Sequence, residues 1–159
     1  MKYYVYLLTL LITNFCFSQK RSGSDSLSLY GIALREKISV LVDAKYFRIG
    51  KPYNSEVLYV DAPYDIGKQL PGELSGFIIR VLSREDILAY TRKGKELFLV
   101  EIDPINVKGE LLEIDVSSFN AKQLKKRLFY GKAGRMIAQF QFNCIKKKYE
   151  ISDIKTFDQ

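Results

Sequence analysis

Residues 97–117 read LFLVEIDPINVKGELLEIDVS, and their alternation decides the fold class. Phe98, Val100 and Ile102 fall on one face of an extended strand, and Leu112, Ile114 and Val116 fall on one face of a second. Pro104 and Gly109 suit the connection between them. A hairpin centred on Val107 sets Ile102 opposite Leu112, Val100 opposite Ile114 and Phe98 opposite Val116. Sliding one strand by a single residue would turn glutamates into the core, so the pattern predicts that pairing.

Working outward, Met136 to Ile145 alternates again, with Met136, Ala138, Phe140, Phe142 and Cys144 inward and Gln139, Gln141 and Asn143 outward. Lys146 to Lys148 turn the chain into a last strand, Tyr149 to Ile154. Ala121 to Arg135 is ambiguous, being basic with Leu124, Leu128 and Phe129 at helical spacing. Upstream, Glu56 to Val60 and Phe77 to Leu82 read as strands. Asp61 to Gly76 between them is a loop rich in proline and glycine, lacking the glycine spacing of a phosphate or dinucleotide site. Ser83 and Asp86 form a relative of the capping box, starting a short helix that ends near Lys93 with Gly94 as its stop. A longer helix, capped by Asp25 or Ser26 and running to about Ala44, buries the stripe Leu27, Tyr30, Leu34, Ile38 and Leu41.

The predicted class is α+β. A twisted antiparallel sheet of about five or six strands carries the N-terminal helix and the short second helix on one face. The element order α-β-β-α-β-β-β-β is similar to that of the cystatin-like and NTF2-like curved sheets over residues 26–156. This is a resemblance of layout with no motif attached.

The N-terminus carries a different kind of information. Lys2 is followed by an uncharged run, Tyr3 to Phe17, and Cys16-Phe17-Ser18 puts small residues where a signal peptidase reads. The run is short for a membrane span and matches a secretory signal cut after Ser18. A lipoprotein signal fits poorly, because Asn14-Phe15 precede Cys16 where small residues are needed. The expected organisation is a signal over 1–18, a flexible lead over 19–25 and one domain over 26–159. The expected location is the periplasm or the exterior, with no transmembrane span left after cleavage.

Composition narrows the chemistry. The chain has no histidine and two cysteines, of which Cys16 leaves with the signal. That excludes Ser-His-Asp and Cys-His catalysis and nearly every zinc site, and no cofactor or metal is expected. Cys144, on the inward face of its strand, reads as a buried small hydrophobe. Net charge is +7, with lysine and arginine crowded into the C-terminal third and no nucleic-acid motif beside them. Outside the cytoplasm a basic protein meets acidic glycans, lipid headgroups and cell-wall polymers before nucleic acid.

Two groups of residues qualify as candidate sites. The hairpin register places Glu101 opposite Glu113, with Asp103 and Asp115 flanking. Neutralisation by lysines such as Lys95 or Lys108, a divalent cation, and an acid pair for glycoside cleavage compete to explain the patch. Tyr53, Asp61, Tyr64 and Asp65 around the proline- and glycine-rich loop form a binding rim, since tyrosine offers a large area with a polar tip. The sequence thus points to an exported, non-catalytic module binding a protein or an envelope polymer, with an inhibitor or immunity protein as one version. The alternative is a carboxylate-dependent hydrolase or small-ligand pocket protein on an NTF2-like scaffold.

Overall fold

The computed structural model describes residues 27–44, 57–124 and 127–157. The signal, the lead and Tyr53 lie outside the described residues. In chain order the elements are α1 (Leu29–Asp43), β1 (Val57–Asp61), α2 (Tyr64–Gly67), β2 (Glu73–Leu74), β3 (Phe77–Leu82), α3 (Arg84–Tyr90), a 3-10 turn (Arg92–Gly94), β4 (Glu96–Ile102), β5 (Asn106–Lys108), β6 (Leu111–Leu124), β7 (Arg127–Asn143) and β8 (Lys148–Phe157). The fold is α+β. The eight strands among the described residues join one sheet in the order β2-β3-β1-β4-β6-β7-β8, with β5 paired to β6.

The sheet is mixed, which corrects the antiparallel expectation. β1 lies between β3 and β4 and is parallel to both, Val60 pairing with Val81 on one side and Val100 on the other. Parallel neighbours cannot be joined by a tight turn, so the chain must cross the sheet between them. The crossing from β1 to β3 carries α2, whose Ile66 is buried in the same core as α1. The crossing from β3 to β4 carries α3, whose Ile87 is buried with Leu82, Leu97, Leu99 and Ala121. Leu99 and Val100 are successive residues of one strand and point to opposite faces. The two helices expected on one face therefore cover opposite faces.

The larger core lies under α1. Tyr30, Ala33, Leu34, Ile38 and Leu41 pack on Leu58, Val60, Val100, Ile102, Ile114, Val116, Met136, Ala138 and Phe140. Fully burying an aliphatic or aromatic side chain contributes about 1.5–3 kcal/mol, so this face dominates stability. The expected stripe of α1 is the one buried, but its cap is Ser28 rather than Asp25 or Ser26. Ser28 Oγ accepts from Gly31 N (3.1 Å) and donates to Gln69 O (2.9 Å), tying the helix start to the chain beyond α2. Lys37 shares the buried face at 2% exposure. It reaches the β6–β7 irregularity at Ser118, where Ser118 Oγ donates to the carbonyl of Gly134 (3.1 Å). Gly134 sits at φ +145, and a Cβ there would lie 3.7 Å from Lys37 Nζ. Glycine meets this backbone requirement without a steric penalty.

Three further expectations change. The hairpin pairs Ile102 with Val116, Val100 with Ser118 and Phe98 with Asn120, four residues away from the expected register. The reversal falls at Gly109 (φ +62), and β5 continues the line of β4 against β6, Val107 pairing with Leu112. The described residues of the ambiguous segment 121–135, namely 121–124 and 127–135, belong to β6 and β7 and pair with each other, Lys122 opposite Phe129 and Leu124 opposite Arg127. Met136, Ala138 and Phe140 are buried as expected, but Cys144 is exposed. The strand stops at Asn143, whose Oδ1 accepts from Ile145 N and Lys146 N (both 3.0 Å) and turns the chain before Cys144 can join the sheet. A thiol reagent added to the native protein should therefore modify Cys144, as mapped by peptide mass spectrometry. Modification only after unfolding would contradict this turn.

Candidate functional site

Two crossings that leave neighbouring parallel strands for opposite faces open a crevice at the carboxyl ends of those strands, where open α/β sheets bind ligands. Here the strands are β1 and β3. The chain leaving β1 contributes Ala62, Tyr64, Gly67 and Lys68, and the end of β3 with the start of α3 contributes Val81, Leu82, Ser83 and Asp86. Together they line an open cleft of about 560 Å³.

Local chemistry explains each wall. Gly67 lets α2 approach β3, since a Cβ there would meet Val81 Cγ1 at 3.0 Å. Tyr64 stands 78% exposed at the mouth, with Lys68, one helical turn on, placing its ammonium 4.1 Å from the ring centroid. Opposite, Ser83 and Asp86 form the expected capping box. Asp86 Oδ2 accepts from Ser83 N (3.0 Å) and Ser83 Oγ (2.9 Å), and these bonds hold its carboxyl below the ordinary carboxylate range. The cleft thus has an apolar floor of Ala62, Val81 and Leu82, an aromatic and cationic lip, and an anionic wall.

Of the binding rim read from the sequence, Tyr64 lines the cleft. Asp65 is its exposed neighbour and Asp61 ends β1 on the α3-bearing face, paired in register with Leu82 and Glu101; neither aspartate lines the cleft. Lys68 and Val81 were missed. The i, i+4 spacing of Tyr64 and Lys68 was the available cue, hidden because 61–76 reads as loop.

The carboxylate patch is rearranged by the corrected register. Glu101 pairs with Ser117, while Glu113 pairs with Asn106 and Gln139, so the two glutamates are not opposed. Glu113 is buried, takes an ion pair from Lys108 (2.6 Å) and accepts from Gln139 Nε2 (2.7 Å), which lowers its proton affinity. Asp115 accepts from Arg135 Nε (2.6 Å). Glu101 instead stands beside Asp61. Burial, followed by the charges of Asp103, Asp61 and Asp115, pushes its carboxyl up. Burial also raises Asp61, and burial with Asp115 raises Asp103 against the opposing pull of Arg135. Tyr130, raised by burial and by Asp61, completes this corner. No group of three or more metal-ligand residues among the described residues is placed to hold a metal ion.

Compared with known protein families, curated proteins and solved structures, the chain has no match. The parallel run β3-β1-β4 departs from the antiparallel sheet that the cystatin-like and NTF2-like layout implies.

The acid pair has a measurable consequence. An acid whose folded-state affinity for protons exceeds its unfolded one opposes folding when ionised. Its contribution therefore worsens as pH rises from about 4 through the raised range and stays unfavourable above it. Glu101→Gln should raise stability at pH 7 by about 0.5 kcal/mol, discounted because the group is partly exposed, with the gain disappearing near pH 4. Glu113→Gln, which removes the partner of Lys108, should lower stability at pH 7. Thermal melts of both variants across pH check this; a destabilising Glu101→Gln would show that the carboxylate has a favourable partner.

Proposed function

We propose that this protein is an exported, non-catalytic binding module, acting in the periplasm or outside the cell. Its recognition surface is the cleft between the chain leaving β1 and the chain leaving β3, and its ligand is a segment of a protein or an envelope polymer. The observation that carries this reading is Tyr64, 78% exposed beside an apolar floor and overlaid by Lys68. Exposing a tyrosine ring to water has no packing benefit, whereas covering it with a partner buries a large area around one polar tip. The cleft's composition selects a segment with a flat or apolar group for Tyr64 and Val81 and an acidic group for Lys68. The uncharged run 3–17 and the small residues Cys16 and Ser18 support export with a mature chain starting at Gln19.

A second reading rests on the adjacent carboxyls of Asp61 and Glu101, both raised in proton affinity, as an acid for hydrolysis. It is favoured less because neither Asp61 nor Glu101 lines the cleft.

The test is affinity capture of the tagged protein from a native envelope fraction after crosslinking. The expected result is one stoichiometric partner on a chain beginning at Gln19, lost with Tyr64→Ala and reduced at least tenfold with Lys68→Glu, at roughly 1.4 kcal/mol per factor of ten. A partner retained by both variants would overturn the assignment of the cleft. Turnover of a polymer substrate abolished by Asp61→Asn would favour the second reading.

A further inference from the structure

The pole of the sheet where β7 turns into β8 carries apolar side chains that the fold does not cover. Ile145, at the apex of the turn, is 94% exposed. Behind it, Phe142 and Tyr149 are paired across the strands with ring centroids 5.2 Å apart and remain 46% and 38% exposed. They continue the row of Phe140 and Ile151 beyond the reach of α1. The turn is well braced. Asn143 accepts from Ile145 N and Lys146 N, and its Nδ2 donates to Glu150 Oε2 (2.9 Å). An isoleucine held outward on such a turn is not collapsing onto its own protein.

Charge says what surface this apex fits. Lys146, Lys147 and Lys148 follow Ile145 directly and are exposed. Glu150 takes Lys146 (2.8 Å) and touches Lys148 (3.8 Å), leaving an excess of positive charge around the apex. The neighbouring β5–β6 turn adds Val107, 65% exposed, with Lys108 already paired to Glu113 and Glu110 exposed. An apolar apex, a collar of lysines and an aromatic pair one step behind match the layers of a bilayer surface: acyl boundary, anionic headgroups and the interfacial zone where tyrosine concentrates. A soluble polyanion would use the lysines and leave Ile145 in water.

We propose that the β7–β8 tip docks this protein on an anionic lipid bilayer, with Ile145 entering the headgroup boundary and Lys146, Lys147 and Lys148 meeting lipid phosphates. The contact is shallow and reversible, since one aliphatic side chain and a few lysines give modest affinity. It weakens as salt screens the lysines.

The experiment uses the chain beginning at Gln19, which keeps every residue of the described fold and lacks the apolar run at 3–17. An environment-sensitive dye on Cys144 reports on the tip, and vesicles are either phosphatidylcholine alone or phosphatidylcholine mixed with phosphatidylglycerol. Binding should be roughly tenfold or more stronger on the anionic vesicles. The dye emission should shift to the blue, and both effects should be lost with Ile145→Asp or with Lys146→Glu and Lys147→Glu together. Cooperative melting of each variant shows that the fold is kept. Tyr64→Ala should leave vesicle binding unchanged, which separates this docking from the cleft. Equal binding to neutral vesicles, no binding at all, or anionic binding that Ile145→Asp leaves intact would overturn the proposal, the last pointing to polyanion attraction alone.

Discussion

Everything in this fold depends on β1 being hydrogen-bonded to a parallel strand on each side. A strand so placed cannot be reached by hairpins, so the chain must pass over the sheet from β1 to β3 and again from β3 to β4. One crossing runs with α1 over the larger core, and the other lays α3 over the smaller one. The cleft at the ends of β1 and β3, the burial of both faces of the sheet centre, and the approach of Asp61 to Glu101 all follow from that arrangement. From β4 through β6, β7 and β8 the sheet is antiparallel, as the sequence suggests, with β4 and β6 in a shifted register.

The same topology sets the two candidate sites apart. The cleft lies at the carboxyl ends of β1 and β3, with Val81 on the α1 side and Leu82 on the α3 side, and has the mixed character of a recognition site. The raised carboxyls of Asp61 and Glu101 lie on the α3 side, where Arg135 neutralises the nearby Asp115 and leaves these two beside each other. A stability cost retained at a pair of acids is compatible with function, but open sheet surfaces also tolerate it when the rest of the core is well packed. The electrostatics therefore mark a corner of the molecule, and the exposed aromatic ring marks the cleft.

Much of the local structure was legible in the residues. The α1 stripe, the Ser83–Asp86 capping box and the inward row Met136, Ala138 and Phe140 follow from spacing alone. Register was not, for a definite reason. Side-chain alternation has period two, so it forbids a slip of one residue and is indifferent to a slip of four. Glu101 thus kept its face and changed its partner. The turn residue Gly109 was the cue that would have fixed the reversal, and Asn143 was the cue that ends β7 before Cys144. The parallel crossing was hidden because the segment after β1 holds only one turn of helix and no amphipathic repeat. Helical spacing at Leu124, Leu128 and Phe129 was coincidental, since Leu124 and Phe129 are exposed at the far end of a hairpin.

The central claim is the placement of β1 against β4, with β6 on β4's other side in the shifted register. Cysteines at 61 and 101, compared with cysteines at 101 and 113, in a chain whose own Cys16 and Cys144 are replaced by serine, test it with a short bis-thiol crosslinker. Neighbouring strands lie about 4.8 Å apart, whereas four residues along β6 carry position 113 roughly 13 Å from the partner of Glu101. Efficient crosslinking of 61 to 101 with none between 101 and 113 is the predicted result. Crosslinking of 101 to 113 with none to 61 would restore the simple antiparallel hairpin and remove the cleft's structural basis.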